Sequence, residues 1–342
     1  MSAGPAGVVT TRTPLRVTLG GGGTDLESYY RHGGGFIFAM ALDKYIHVHA
    51  HRPVFDRRVV VNGATLDDAD PSAHPLVRAA LRRHDVVDRF ELASLADIAG
   101  GTGLGSSSCF LVGLLNALHA MAGRRAGAPA LAEEACALEI NALARGIGKQ
   151  DQYMAAFGGL TTLRIAADGT VAVAPVVLDA DVEAAFLRHT HIYYTGLRRD
   201  AAVVLSEQNT AMADAGSGRH QQVQDSLDYI RDLGYRILAA WQAGDLDGWG
   251  RMLDEHWQHK KRLSSRISWP KIDALYESVK RAHGVLGGKV IGAGGGGFLM
   301  LFCPGDGTAL QAAMHEQGMP RLRYAIDRTG SRVLSATPLD PP

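Results

Sequence analysis

Alternating hydrophobic and polar positions dominate the first half of the chain and predict short β-strands. Apolar side chains at every second position are typical of a strand with one buried face. Pro14 limits the first strand to an edge or a bulge, because proline donates no backbone hydrogen bond. A turn at Leu42–Lys44 separates the second and third strands, and Asp168 and Gly169 turn the final hairpin. The predicted strands are Val8–Leu19, Phe36–Met40, Tyr45–Ala50, Val59–Asn62, Phe90–Leu95, Leu160–Ile165 and Val171–Val177.

Patterns of helical period become dense in the second half of the chain. The segment Cys109–Met121 is apolar on all sides, which is typical of a buried helix, and Ser106 before it is a good N-cap. Strands return at His191–Tyr194 and across Lys289–Cys303, where a glycine run interrupts the strand. Besides the apolar segment, the predicted helices are His74–His84, Ala130–Leu143, Gln150–Phe157, Gln221–Ala243, Leu246–Lys261 and Ile272–His283.

Composition excludes several classes of function. The 342 residues, 46% of them hydrophobic and 20% charged, suit two lobes, predicted at residues 1–182 and 183–337. Basic and acidic residues balance at 35 each, so nucleic acid and an anionic membrane are not expected partners. The first residues lack the pattern of a signal peptide, and the apolar runs are too short to span a bilayer. Three cysteines without a CxxC pair favour a reduced, cytoplasmic setting.

The 41 glycines cluster, and one cluster continues into serines as Gly101-Thr-Gly-Leu-Gly-Ser-Ser-Ser108. Glycines let backbone N–H groups converge on an anion, and the N-terminus of the following helix adds positive charge. The serine hydroxyls suit phosphate oxygens or Mg²⁺. The alternative is a glycine turn leading into a capped core helix, although one serine suffices for capping.

Two familiar nucleotide motifs do not account for these glycines. The chain has no GxxxxGK[ST] string, which excludes a Walker phosphate loop. A GxGxxG string does occur at Gly292–Gly297, but only 45 residues follow it, too few for a dinucleotide-binding array of strands and helices. A glycine-rich turn and a ligand contact both remain open for this segment.

Three further segments carry candidate charged groups. In Gly148-Lys-Gln-Asp-Gln152, Asp151 suits a general base for a hydroxyl, or else a carboxylate in the first turn of a helix. Arg12, Arg16, a glycine run and Asp25 lie close together in the sequence and suit an anionic or sugar ligand, although exposed arginines are commonly just solvated. The stretch His259–Arg266 is basic, which also fits a charged helix end.

Taken together, these segments resemble the GHMP kinase superfamily, in which three motifs occur in a fixed order. The first matches Arg12–Asp25, the second, GLGSSxx, matches Gly103–Cys109, and the third, KxxGAGGGG, matches Lys289–Gly297 without a mismatch. The resemblance implies a two-lobed α+β fold with a ribosomal S5 domain 2-like N-terminal lobe and a ferredoxin-like C-terminal lobe. It also implies an active site between the lobes that uses ATP and Mg²⁺.

The resemblance assigns a role to individual residues. It implies that Asp151 is the catalytic base and that Arg16 contacts it, and that Ser107 and Glu139 hold Mg²⁺. The implied nucleotide contacts are Gly101, Gly103, Leu104, Gly105, Ser106, Ser107, Ser108, Gly294 and Gly295. The implied substrate contacts are Arg12, Gly22, Gly23, Thr24, Asp25 and Gly296.

The acceptor implied by the resemblance is a sugar phosphate. The strings around Arg12–Asp25, Gly148–Tyr153 and Leu263–Ser268 are similar to the subgroup that phosphorylates the anomeric hydroxyl of D-glycero-D-manno-heptose 7-phosphate. A distal phosphate would suit Arg12, Lys44, Lys260, Lys261 or Arg262, which the sequence does not rank. Another long-chain sugar phosphate, a cyclitol phosphate, or a nucleotide-dependent decarboxylase of the same fold are the alternatives. The oligomeric state stays open, a homodimer included.

Overall fold

Two β-sheets with helices packed against them organise the chain. The computed structural model describes residues 6–66, 70, 72–198 and 201–339, without the side chains of 201 and 202. The strands are β1 Ala6–Gly20, β2 Gly35–His51, β3 Val59–Val61, β4 Ala64–Thr65, β5 Phe90–Ala96, β6 Leu160–Ile165, β7 Val171–Pro175, β8 Thr190–Tyr194, β9 Gly287–Val290, β10 Phe298–Phe302, β11 Arg321–Leu322 and β12 Arg332–Pro338.

The first five helices alternate with strands of the first sheet, and the longer helices follow after residue 200, as the sequence predicts. A π-helical segment, Ala137–Ala142, continues the fourth helix directly. The helices are α1 Glu27–Gly33, α2 Pro75–Arg83, α3 Ser106–Met121, α4 Ala128–Cys136, α5 Gln150–Phe157, α6 Ala180–His189, α7 Ala201–Ala213, α8 Gly218–Gln242, α9 Leu246–Lys261, α10 Pro270–His283 and α11 Thr308–Glu316.

The first sheet runs β12-β1-β2-β5-β3-β4, and β6 and β7 extend it from β2. Its long second strand corrects a prediction, because Phe36–Met40 and Tyr45–Ala50 belong to one continuous strand. The first part of β2 pairs with β6 and the last part with β5, so one strand serves two branches of the sheet. The predicted turn at Leu42–Lys44 is therefore wrong. Pro14 lies beside a register shift in β1, which confirms the bulge rather than the edge.

The second sheet has the order β11-β8-β10-β9 and is antiparallel throughout. The predicted α+β class is confirmed. The boundary between residues 182 and 183 stays a prediction. Strand β12 pairs with β1, so the end of the described chain returns to the first sheet.

Helix α3 lies in the main hydrophobic core, as its apolar sequence predicts. Most of its side chains are buried, and Gly113 lets the helix approach β1 closely enough for the Thr11 hydroxyl to donate to the Gly113 carbonyl at 2.9 Å. The N-cap position holds Gly105 in a left-handed conformation, and no side chain caps the helix. The prediction of a capping Ser106 is wrong, and the N-terminus of a buried helix is left open toward a cavity.

Candidate active site

A cavity of about 510 Å³ lies where the glycine-serine loop meets the second glycine-rich loop. Its walls come from β1, the start of α3, the start of α5, α9 and the loop after β9. Residues from all three motifs therefore share one cavity. The sequence-predicted residues that line it are Arg16, Gly22, Gly23, Asp25, Gly101, Gly103, Gly105, Ser106, Ser107, Asp151, Gly294 and Gly296.

The loop before α3 depends on left-handed glycines. Gly101, Gly103 and Gly105 have φ angles of 76°, 81° and 79°, a region that other residues rarely adopt. A Cβ on Gly105 would lie 3.1 Å from the Asp151 carboxylate, so the loop passes directly over that residue. The helix N-terminus and the Asp151 carboxylate thus face the same cavity. This is a suitable arrangement for a phosphate next to a hydroxyl.

Arg16 and Asp151 form the charged centre of the cavity. The Arg16 Nε and Nη2 atoms lie 2.7 and 2.6 Å from Asp151 Oδ1, and Nη1 donates to the Gly103 carbonyl at 2.6 Å. Arg16 is buried, whereas about a fifth of the Asp151 side chain (22%) is exposed to the cavity. Among the described residues, Asp151 Oδ2 has no hydrogen-bond partner. One oxygen is held in place and the other can accept a proton.

Asp25 is buried beside this pair and positions the start of α5. Its carboxylate accepts the Gln150 backbone N–H at 3.0 Å and the Gln150 side-chain amide at 3.2 Å. Burial raises the pKa of Asp25 above its usual value, the Gln150 N–H lowers it, and the nearby charge of Asp151 raises it further. Gln150 also accepts from Thr18 at 2.5 Å, so both ends of the amide are held. Sequence reasoning gave Gln150 no role.

Glu139 lies in the π-helical segment and is fully buried. Its carboxylate accepts from Ser108 Oγ at 2.6 Å, Gln152 Nε2 at 2.7 Å and Arg145 Nη1 at 2.7 Å. Burial raises the pKa of Glu139, and the Ser108 hydrogen bond and the Arg145 charge oppose that rise. π-Helical segments occur frequently at functional sites.

The Glu139 carboxylate and the Ser107 hydroxyl offer oxygen atoms, the kind of ligand that Mg²⁺ prefers. Ser107 lines the cavity, and its hydroxyl has no hydrogen-bond partner among the described residues. Mg²⁺ prefers oxygen ligands and commonly takes one or two protein groups plus substrate phosphates. Arg145 also lines the cavity and supplies the positive charge that the buried Glu139 carboxylate needs when no cation is bound.

Glycines of the third motif do not only leave room for a ligand; they also pack closely against protein backbone. A Cβ on Gly292 would lie 2.4 Å from the Gly103 carbonyl oxygen, and one on Gly297 would lie 2.0 Å from the Thr102 carbonyl oxygen. A Cβ on Gly294 would meet the Ile267 backbone at 2.9 Å. The two glycine-rich loops therefore touch each other directly, an arrangement that sequence reasoning missed.

Several predicted residues lie outside the cavity lining. Arg12 stacks over the Tyr45 ring at 4.2 Å and lies 3.9 Å from Asp327, and its contact with the substrate stays a prediction. The Thr24 hydroxyl donates to backbone carbonyls at 2.8 and 2.9 Å and shapes the loop instead. Ser108 gives its hydroxyl to Glu139. The remaining predicted residues that do not line the cavity are Leu104, Gly295 and Glu139.

The cavity also contains residues to which sequence reasoning gave no role. Gln208 Nε2 on α7 donates to the Gly23 carbonyl at 3.3 Å. His256 on α9 and Lys289 on β9 also line the cavity. Only Lys289 carried a signal in the sequence, as the first residue of the third motif. Lys260 is the one residue of the five proposed for a distal phosphate that lines the cavity as the structure describes it.

Comparison with known proteins defines the class of the molecule. The domain families "GHMP kinases N terminal domain" and "GHMP kinases C terminal" match residues 74–159 and 237–318. D-glycero-alpha-D-manno-heptose 7-phosphate kinase of Campylobacter jejuni is 25% identical over 311 residues, which cover 86% of this chain and 89% of that protein. L-fucokinase/L-fucose-1-P guanylyltransferase of Bacteroides fragilis is 26% identical over 86% of this chain and 34% of its own length.

Solved structures agree in fold. The crystal structure of a D-glycero-D-manno-heptose 1-phosphate kinase from Bacteroides thetaiotaomicron superposes with a TM-score of 0.76 at 21% identity, covering 96% of this chain and 99% of that one. A galactokinase of Lactococcus lactis complexed with galactose gives 0.70 at 18% identity, over 95% of this chain and 94% of that one.

The chain belongs to the GHMP kinase family. The predicted two-lobed GHMP kinase fold is confirmed, and so is the prediction of a phosphotransferase. ATP is the phosphoryl donor that this family uses. Among the described residues, no helix is long and apolar enough to cross a membrane.

Proposed function

We propose that this protein transfers the γ-phosphoryl group of ATP to the anomeric hydroxyl of a sugar phosphate. The acceptor we favour is D-glycero-D-manno-heptose 7-phosphate, which would become the 1,7-bisphosphate. One observation carries the proposal: Asp151, held by Arg16, lies under a glycine loop at the open N-terminus of a buried helix. The name of one relative, a heptose 7-phosphate kinase, supports this acceptor.

Asp151 suits the base of this reaction. The acceptor hydroxyl gives its proton to Asp151 Oδ2, and its oxygen forms a bond to the γ-phosphorus. The bond between the γ-phosphorus and the oxygen that bridges it to the β-phosphorus breaks, and ADP leaves with the electron pair. An anomeric hydroxyl is more acidic than an ordinary alcohol, so a carboxylate suffices as the base. Arg16 Nη2 lies 2.6 Å from Asp151 Oδ1, and this ion pair orients the other carboxylate oxygen.

The loop and the helix stabilise the transferred group. Backbone N–H groups of Gly103–Ser106 and the N-terminus of α3 offer positive charge where phosphate charge develops. Ser107 and Glu139 would hold Mg²⁺, which supplies further neutralisation of the phosphate oxygens. Arg145 would release Glu139 when the ion is bound. Asp25 and Gln150 offer hydrogen-bonding groups beside the acceptor hydroxyl.

The first test is the variant D151N. It retains the shape of the side chain but not its capacity to accept a proton, so kcat should fall by at least ~100-fold while the KM for ATP changes little. The control is D306N, which alters an aspartate in an exposed surface turn. A D151N enzyme with near-wild-type kcat would remove Asp151 from the role of base. Absence of ATP binding to the wild-type protein in calorimetry with Mg²⁺ would remove the proposed function itself.

A further inference from the structure

Two buried lysines on the C-terminal wall of the cavity have no carboxylate partner. Lys260 on α9 is 6% exposed and Lys289 on β9 is 2% exposed, and both line the cavity. Among the described residues, neither forms an ion pair. Lysine is almost never buried without a partner, because removing its charge from water costs several kcal/mol. The arrangement therefore needs an explanation beyond folding.

The hydrogen bonds of these lysines are incomplete. Lys260 Nζ donates to the Val290 and Gly292 carbonyls at 2.8 and 2.6 Å, which leaves one of its three N–H groups free. Lys289 Nζ has no hydrogen-bond partner among the described residues. One helical turn before Lys260, His256 is fully buried with both ring nitrogens unpartnered, and it lines the same cavity. Donors without acceptors converge on one wall.

Electrostatics of this wall favour an incoming anion. Burial, together with the nearby Arg16 charge, lowers the pKa of Lys260 to about 7. Burial also lowers the pKa of Lys289 well below its usual value, with Lys260 and Arg16 adding to the effect. The positive charge of Arg16 is already matched by Asp151. An oxyanion placed between the amines would pair with both and would restore their charge.

We infer that Lys260 and Lys289 form a phosphate-binding subsite in the cavity that the glycine-serine loop also lines. The inference rests on the proposed function for the source of the phosphate. That source is either the phosphate which the acceptor already carries or the phosphoryl group being transferred, since both present the same tetrahedral oxyanion. His256 is a further donor to that group. Of the basic residues considered for a distal phosphate, Lys261 pairs with Asp273 and Lys44 with Asp43 instead.

The variant K289M gives the sharpest test because function and stability should move in opposite directions. Methionine fills a similar volume without a buried, unpartnered amine, so the free energy of unfolding should rise. Phosphate binding should fall at least tenfold in calorimetric titrations of inorganic phosphate in excess ADP, and K260M should show the same loss. K261M is the matched control, since Lys261 is adjacent in sequence and lies outside the cavity, and it should bind phosphate as wild type does.

Kinetics then separate the two sources of phosphate. If the subsite holds the acceptor's own phosphate, K289M raises the KM for heptose 7-phosphate at least tenfold and leaves kcat/KM for unphosphorylated heptose unchanged. If it holds the transferred group, K289M lowers kcat for both sugars alike. Unchanged phosphate binding in K289M and K260M overturns the inference. Because the phosphate titration needs no turnover, it decides the subsite even when no sugar is phosphorylated and the proposed function fails.

Discussion

At the scale of single residues, the site depends on close contacts that leave no room for side chains. A Cβ on Gly148 would lie 2.0 Å from Asp25 Oδ2, although the backbone at Gly148 is in a region open to any residue. Glycine is therefore required at position 148 because a side chain would not fit there, and not because of the backbone conformation. Asp25 can reach the Gln150 backbone N–H only because this position has no side chain.

The variant G148A tests this point. The added methyl group displaces Asp25, so the free energy of unfolding should fall by about 1–3 kcal/mol, the usual cost of overpacking. Urea unfolding followed by circular dichroism measures the change. G305A is the control, because no atom lies within 4 Å of a Cβ at that loop glycine, and its effect should stay within about 0.5 kcal/mol. Equal stability of both variants would contradict the packing assigned to Gly148.

The sequence predicted individual residues unevenly. Asp151, Arg16 and Asp25 all line the cavity, as the family resemblance implies. Arg12 does not line the cavity; it precedes Arg16 by four positions on β1, and the register shift beside Pro14 lies between them. The local pattern of charges does not determine such a shift, because it depends on the pairing of β1 with two other strands.

At the scale of elements, a half-buried cluster joins the C-terminal ends of α2 and α3 to α4. Glu134 on α4 lies 2.7 Å from His119 Nε2 and 3.2 Å from His84 Nε2, and the two rings pack edge to face at 4.7 Å. Burial raises the pKa of Glu134, but the His119 hydrogen bond and the nearby His84 ring lower it more, so it ends well below its usual value. The cluster holds the back of α3 while its N-terminus faces the cavity.

The variant E134Q should lower the free energy of unfolding at pH 7 by about 1–3 kcal/mol, since it removes hydrogen bonds to a charged group. A lowered folded-state pKa stabilises the fold above the unfolded-state pKa, about 4.3, and this contribution is lost as the pH falls towards the folded-state value. The difference between wild type and E134Q should therefore shrink between pH 6 and pH 3. E27Q, in the exposed Glu27–Arg31 pair, is the control and should show no measurable change. A difference independent of pH would contradict the ionised state of Glu134.

Elements with a strong period were predicted well, and those set by tertiary contacts were not. The bounds of α5, α9 and β6 agree with the sequence patterns residue for residue. The single long strand β2 was missed, because its polar residues Asp43 and Lys44 suggest a turn while pairing on both sides keeps the backbone extended. Strand β12 was missed because its side chains are exposed along its length and give no alternation.

At the scale of the whole molecule, the two glycine-rich loops connect parts of the chain that are distant in sequence. The Gly103 and Gly292 backbones touch, and Arg16 from the first sheet donates to the same Gly103 carbonyl that Gly292 approaches. Lys260 on α9 donates to the Gly292 carbonyl. These contacts connect the glycine-serine loop to Arg16, and so to Asp151, on one side and to Lys260 on the other. Sequence motifs predicted their convergence but not this contact of backbone with backbone, which leaves no pattern beyond glycine itself.

The central claim is tested most directly by the position of the phosphate in the product. Wild-type protein is incubated with ATP, Mg²⁺ and D-glycero-D-manno-heptose 7-phosphate, and the product is examined by ³¹P and ¹H NMR. The account predicts ADP together with a new phosphate resonance coupled to the anomeric proton, while the 7-phosphate resonance persists. A phosphate on any other carbon, or ADP and inorganic phosphate without a new sugar phosphate, would contradict it.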